Sequence, residues 1–321
     1  DAVPGDHPTI LMSNSTTILI TGSNGLLGQK IVYGLIGRDN IRCVASSRGE
    51  NRLMRKDGYE YVSLDITDPD QVRSVMERYR PDAVIHTAAL TNVDACESRR
   101  EEAVLMNVTA TEYLVHACNE HGSHLVHLST DFVFDGANGP YIESDQPNPL
   151  SHYAATKLES ERVVMATARS WAILRTIIIY GVVDDNSRSN VVLWTLNSLK
   201  AGKSINAIND QFRSPTLAED LADACIEAAV RRANGIYHVS GRELMCILDM
   251  VKIVADYFQL DASLIRSVSS DELNQPARRP PVTGFIIGKA ERELGFRPRS
   301  FLEGLEVVKK QLIMVGALPG E

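Results

Sequence analysis

Thr17-Ile-Leu-Ile-Thr-Gly-Ser-Asn-Gly-Leu-Leu-Gly28 is the stretch on which the fold turns. Its first five residues are a short apolar, β-branched run, the length of a buried strand. Gly22, Gly25 and Gly28 follow at once, and an apolar helical pattern continues to about Gly37. Strand, glycine turn and helix in that order make a cradle for a dinucleotide pyrophosphate. The glycines permit a tight turn and close backbone approach, and the helix N-terminus faces the anion. The spacing is G-x-x-G-x-x-G rather than G-x-G-x-x-G, so a plain glycine-rich strand–helix turn remains the competing reading. The cradle would consist of Gly22, Ser23, Asn24, Gly25, Leu26, Leu27 and Gly28.

Working outward, strands are expected at residues 41–46, 59–64, 82–87, 125–129 and 172–180. Helices are expected at 68–79, where Asp-Pro makes an N-cap and first-turn pair, at 101–121, and around Tyr153 and Lys157. Alternation of this kind implies an α/β fold, a Rossmann-type doubly wound parallel sheet covered by helices on both faces. After Gly181 the rhythm breaks. Helical stretches at 190–201, 217–231 and 244–258 and a Pro-Ala-Arg-Arg-Pro-Pro loop at 276–281 suit a smaller C-terminal substrate lobe. The expected organisation is a disordered leader at 1–16 and a dinucleotide-binding domain at 17–181. Residues 182–321 would be mainly the lobe, interleaved with the last sheet strands.

A formal net charge of −8 over 321 residues argues against nucleic acid as a partner, which normally meets a basic surface. Five scattered cysteines without a C-x-x-C pair fit a reduced, cytoplasmic setting better than a disulfide framework or a zinc site. No apolar run reaches membrane-spanning length, so no membrane partner is expected. The histidines form no ligand pattern, and His86 and His127 read as core or sheet residues; no metal is expected.

Tyr153-Ala-Ala-Thr-Lys157 carries the chemistry. Residues four apart share a helix face, so the phenol and the ammonium can meet. A fixed positive charge would draw the tyrosine, ordinarily of pKa about 10, towards a range useful for proton transfer. Thr130 ends a strand where parallel sheets gather their sites, and its hydroxyl could hydrogen-bond a substrate carbonyl. Catalysis is therefore expected from Thr130, Tyr153 and Lys157, with Ser129 and Asp131 as helpers. At the end of the second strand Ser46-Ser47-Arg48 replaces the usual acidic ribose ligand. An arginine there suits the 2′-phosphate of NADP, with NAD also possible, or is simply solvated. Asp65 could accept from the adenine amine or could merely end a strand; Ile66 beside it joins the expected cofactor contacts.

These residues resemble the extended short-chain dehydrogenase/reductases, and more closely the dTDP-4-dehydrorhamnose reductases. The likeness is carried by His86-Thr-Ala-Ala-Leu-Thr-Asn-Val-Asp-Ala-Cys-Glu97, Ser129-Thr-Asp-Phe-Val-Phe-Asp-Gly136 and Asp210-Gln-Phe-Arg-Ser-Pro-Thr216, with Arg279-Pro280 and Lys289 later. It implies NADPH- or NADH-dependent reduction of a 4-keto group on a deoxyhexose attached to a nucleoside diphosphate. It also implies that Ala88 and Ala89 line the cofactor groove and that Thr91, Asp94 and Glu97 lie near the site. Substrate contacts are expected from Thr91, Asp131 and Phe132, and from Arg213 and Arg279 as diphosphate clamps. A homodimer is expected through the helices at 101–121 and 153–169. Three positions depart from the pattern: Phe132 stands for a tyrosine, Ile178 for a tryptophan, and Arg-Pro-Pro-Val-Thr-Gly lacks an Asn and an Asp. Two other functions share these residues: an NADP-binding regulatory subunit resembling the methionine adenosyltransferase β subunit, and a nucleotide-sugar epimerase or dehydratase.

Overall fold

A computed structural model describes residues 15–185 and 189–319. The expected leader therefore lies outside the described residues, apart from Ser15 and Thr16. Thr16 already belongs to the first strand, β1 (Thr16–Thr21), so the strand begins one residue earlier than expected. From there the chain alternates α1 (Leu26–Leu35), β2 (Ile41–Ser47), β3 (Glu60–Ser63), α2 (Pro69–Tyr79) and β4 (Ala83–His86). Two short helices, α3 (Val93–Ser98) and α4 (Arg100–Val104), precede α5 (Ala110–His121) and β5 (His124–Thr130). The long α6 (His152–Thr167) then leads to β6 (Trp171–Thr176).

The second half opens with β7 (Ile179–Tyr180), α7 (Val191–Lys200), β8 (Ile205–Ile208), β9 (Phe212–Arg213) and β10 (Thr216–Leu217). It continues through α8 (Ala218–Val230), β11 (Gly235–His238), β12 (Met245–Cys246), α9 (Ile247–Tyr257) and β13 (Ile265–Val268). It ends in α10 (Gly288–Glu293) and α11 (Phe301–Met314).

Seven parallel strands form the central sheet in the order β11-β6-β5-β4-β1-β2-β3. β1, β4 and β5 are buried along almost their whole length because helices cover both faces, which is why they read as unbroken apolar runs. One layer packs Ile18, Ile20, Ile31, Leu35, Leu221 and Ile226 against the sheet. The other packs Leu19, Val84, Leu114, Val164 and Ile173. α8 and β11 come from the second half of the chain, yet α8 covers the sheet beside α1 and β11 closes its edge. A separate core of Tyr180, Leu196, Met250, Val254, Phe301 and Leu305 holds α7, α9 and α11 together.

Capping explains several boundaries. Asp68 accepts hydrogen bonds from the backbone N–H of Asp70 and Gln71, with Pro69 in the first turn of α2. Ser300 and Glu303 form a reciprocal capping box that starts α11, a helix not anticipated from its apolar spacing.

Two expected elements are broken. The helix expected at 101–121 contains a π-helical turn at Leu105–Thr109. The Asn107 side chain there accepts from Leu90 N–H (2.8 Å) and donates to Leu90 O (3.2 Å) and Thr156 Oγ1 (3.0 Å). A buried amide with three partners outweighs a regular helical ladder at that point. The strand expected at 172–180 divides into β6 in the main sheet and β7, which pairs with β10. Between them Ile178 takes a φ of 30°, an unfavourable backbone for a β-branched residue, and the chain changes direction there.

Candidate active site

β1 and β4 are neighbours, although β2 and β3 continue outward from β1 on the opposite side. That reversal opens a crevice at the carboxyl ends of the two strands, and the glycine turn lies in it. Gly22 has a φ of 75°, and a Cβ on it would come within 2.8 Å of Ala88 N and Thr87 Oγ1. A Cβ on Gly28 would lie 2.2 Å from Gly22 O. Gly25 caps α1 without a side-chain hydrogen bond, and no acidic residue occupies the first turn. The N–H groups of that turn are thus uncovered by side chains, and the backbone is left bare where an anion would sit. Gly28→Ala is expected to cost about 1–3 kcal/mol through this clash, read as a shift in denaturation midpoint.

Asn24 ties this turn to the loop after β2. Its amide donates to Glu50 O (2.8 Å) and accepts from Arg52 N–H (2.9 Å), while Ser23 N–H donates to Ser46 O (2.9 Å). Arg48 in that loop is exposed and lies 3.9 Å from Asp65, which follows the end of β3. Leu27 and Ile66 are buried in the two sheet layers, whereas Leu26 packs against Gly181. Ala88 and Ala89 are half-buried on the β4 side of the glycine turn, and Thr91 is exposed just beyond them.

Thr130 of β5 and Tyr153 of α6 meet at the strand end, Lys157 lies one helical turn further along α6, and all three are buried. Ser151 caps α6 by accepting from Ala154 N–H (3.2 Å), which sets the helix register two residues before Tyr153. The inner face of α6 carries Thr156, Lys157, Ser160 and Glu161 among its buried residues, an unusual amount of polarity for a helix packed on a sheet. Tyr153 packs with Cys96, Ala103, Leu90, Val93 and Phe132, the last edge-on at 6.2 Å between ring centroids.

Burial pushes the Tyr153 phenol well above its ordinary range; the Thr130 hydroxyl draws it down, while Asp131 and Cys96 raise it further. Lys157, expected to set the tyrosine's acidity, is not among the groups that shift it here. In the protein alone, desolvation dominates and Thr130 is the counterweight. Lys157 is itself pushed down to about 8 by burial, with Glu161 opposing the fall. His86 and His127 stand behind it with rings 5.3 Å apart. Burial pushes His86 down to about 3, and burial together with Lys157 holds His127 well below the usual imidazole range. Both are neutral core histidines: His86 meets Thr21 Oγ1 (2.8 Å) and His127 meets Ser160 Oγ (2.9 Å).

Asp131 joins the strand end to the C-terminal lobe. Its carboxylate accepts from Thr130 Oγ1 (3.1 Å) and from the Thr283 hydroxyl, and faces Arg213 at 3.8 Å. Burial pushes this carboxyl up, and Arg213 chiefly pulls it back. Of the two arginines expected as diphosphate clamps, Arg213 is enclosed and Arg279 is half-buried, and each has partners within the protein. Arg213 is buried, donates to Pro280 O (2.6 Å) and Phe212 O (2.8 Å), and lies over the Phe132 ring. Arg279 pairs through both terminal nitrogens with Asp94 (2.8 and 3.1 Å). The Arg213 guanidinium, taken up by carbonyls, has few donors left for phosphate, whereas Arg279 keeps Nε and one Nη2 hydrogen without a partner among the described residues. Ser129 is buried beside Thr130, and Glu97 accepts from His152 N–H (2.7 Å) at the start of α6.

Sequence reading passed over Asn107, whose amide joins the 90-loop to α6 beneath the site, and the Glu161–Arg175 pair. Asn107 gave no local signal because its partners are 17 and 49 residues away. Among the described residues, no group of three or more His, Cys, Asp or Glu side chains is placed to hold a metal. Nor is any helix among them long and apolar enough to cross a membrane.

The chain matches the RmlD substrate binding domain over residues 16–314. It belongs to that family. Methionine adenosyltransferase 2 subunit beta of Xenopus tropicalis is 35% identical over 265 residues, covering 81% of this chain and 77% of the relative. A probable low-salt glycan biosynthesis reductase of Haloferax volcanii is 32% identical, over 86% of this chain and 91% of that protein. Among solved structures, a dTDP-4-dehydrorhamnose reductase from Bacillus anthracis in complex with NADP superposes with a TM-score of 0.79. It is 28% identical and covers 92% of this chain and 99% of its own. The Rossmann-type sheet is thus common to this chain and a reductase that carries a dinucleotide.

Proposed function

We propose that this chain is an NAD(P)H-dependent reductase of a 4-keto-deoxyhexose carried on a nucleoside diphosphate. The observation that carries the reading is the burial of Thr130, at the end of β5, and of Tyr153 and Lys157, four residues apart on α6, together with a bare-backbone glycine turn, in a chain of this family. When bound, the reduced nicotinamide supplies the hydride. Tyr153 gives its phenolic proton to the alkoxide formed at the sugar carbonyl. Burial keeps the phenol protonated, so the proton is there to give, and the alkoxide is the stronger base that takes it. Thr130 turns its hydroxyl from Asp131 onto the carbonyl oxygen, and Phe132 N–H, donating to Thr130 Oγ1 (3.2 Å), keeps that oxygen in place. Lys157 holds the cofactor ribose and the positive charge beneath the phenol.

NADP is the preferred dinucleotide because Arg48, not a carboxylate, follows the second strand. Arg48→Ala is expected to weaken NADPH about tenfold to a hundredfold, the worth of a charge-assisted hydrogen bond, and to leave NADH nearly unchanged. Fluorescence titration of each nucleotide distinguishes this from an equal loss, which would remove Arg48 from the 2′-phosphate.

A homodimer is supported by the exposed apolar side chains of Val104, Leu105 and Met165 on α4, the π-helical turn and α6. Leu105→Glu is expected to give a monomer by light scattering, and an unchanged mass would place the contact elsewhere.

The functional test is oxidation of NADPH and NADH with dTDP-4-keto-6-deoxyhexoses generated in the cuvette. Turnover supports the reductase. Tight NADPH binding without turnover on any of these sugars favours a regulatory subunit, a reading supported by the 35% identity to a methionine adenosyltransferase β subunit. Purification with firmly bound NAD would favour an epimerase or dehydratase.

A further inference from the structure

Between β2 and β3 the chain runs from Arg48 to Tyr59 without helix or strand, and Arg48 stands first in that loop. Its guanidinium is loosely held: the side chain is 74% exposed, and its ion pair to Asp65 is long at 3.9 Å. An exposed arginine keeps most of its rotamer freedom. Where the charge can reach is therefore set by the backbone that carries it.

That backbone is gripped from β3, the edge strand of the sheet. Residues two apart on a strand share a face, and Tyr61 and Ser63 both meet the turn Ser47-Arg48-Gly49. The Tyr61 hydroxyl donates to Gly49 O (2.8 Å) and to Ser47 O (3.2 Å), the carbonyls of the residues on either side of Arg48. Ser63 Oγ accepts from Gly49 N–H (3.2 Å). Gly49 takes a φ of 80°, a left-handed backbone that other residues enter at a cost. The glycine turn of the cofactor cradle holds the same segment, since Asn24 N–H reaches Ser47 Oγ (3.4 Å) and its amide bonds Glu50 and Arg52. The Tyr61 ring packs against the apolar layer over α1. A phenylalanine would serve that packing as well, and the hydroxyl adds only the grip on the turn.

We propose that Tyr61 is a positioning residue for nucleotide choice, which aims Arg48 at the 2′-phosphate of NADP by fixing the turn Ser47-Arg48-Gly49. The inference rests on the role given to Arg48 in the proposed reductase, and extends it to a residue that acts on the nucleotide only through Arg48. With the turn released, the guanidinium spreads over more positions and must be gathered when the phosphate binds. NADH has no such phosphate and should be indifferent.

The test is fluorescence titration of the full chain with each nucleotide. Tyr61→Phe keeps the ring and should weaken NADPH about threefold to tenfold, the loss of one hydrogen bond, and NADH by less than about twofold. Ser63→Ala should act in the same direction, and covers the case in which Tyr61→Phe does not fold. Tyr59→Phe is the control, because its hydroxyl bonds Arg55 O (2.7 Å) and the Asn51 amide (2.8 Å) further along the loop. It should lower the melting temperature and leave the ratio of the two affinities unchanged. In an Arg48→Ala background Tyr61→Phe should add nothing, since both changes act on one contact. An unchanged ratio in folded Tyr61→Phe, with Arg48→Ala still selective against NADPH, overturns the inference alone. So does a further selective loss on top of Arg48→Ala, because the hydroxyl would then act by another route. Equal losses of both nucleotides in Arg48→Ala would sink the 2′-phosphate reading and this inference together. No keto sugar enters these titrations, so their outcome stands apart from the substrate assignment.

Discussion

Tyr153→Phe is expected to lower turnover by about a hundredfold to ten-thousandfold, the usual worth of a positioned proton donor, with NADPH affinity held within about twofold. The substitution removes one hydroxyl and keeps the ring that packs against Cys96, Ala103 and Phe132. The fold and the glycine turn are thus left intact, and only the proton path is cut. The same hydroxyl is the partner of Thr130, so part of the loss will come from a carbonyl-polarising donor that turns back to Asp131. Steady-state kinetics beside a fluorescence titration of NADPH separate these effects. Retained turnover would remove Tyr153 from the proton-donor role.

Acid should destabilise this protein steeply. His86, His127 and His238 are buried, and burial is the main cause that holds each below the ordinary imidazole value, with His86 and His238 both pushed down to about 3. In the unfolded chain each would titrate near 6.5. Between that value and the depressed native one, the unfolded state binds more protons, so stability rises with pH across the window and is lost as pH falls. Three such groups together remove about 4 kcal/mol between pH 7 and pH 5.5, a large part of the stability of a typical domain. Urea unfolding at the two values measures the difference. A flat result would show that these imidazoles accept protons in the folded protein.

The mild effects follow the same logic in reverse. Exposed ion pairs such as Arg162–Glu159 and Lys310–Glu306 lie in water and should contribute little. The charges that matter are the enclosed ones, Lys157, Glu161, Arg175, Asp131 and Arg213, because no solvent screens them.

The parallel sheet, the glycine turn and the placing of Tyr153 and Lys157 on one helix could be read from residue order alone. Each depends on local rules: a β-branched run, glycines where a Cβ would strike Ala88 or Gly22, and a four-residue helical spacing. The π-helical turn at Leu105–Thr109, the redirected strand at Ile178 and the edge position of β11 could not be read that way. Asn107 looks helical until Leu90 and Thr156 are brought to it. That Pro280 O takes an Arg213 donor and Asp94 pairs with Arg279 is equally invisible in chain order. Sequence by itself determined which chemical groups are present and which local elements carry them, since helix and strand periodicity are short-range. Tertiary structure decided which charges are enclosed, which donors are spent internally and how far each group is shifted, because desolvation and pairing depend on neighbours that chain order does not place together.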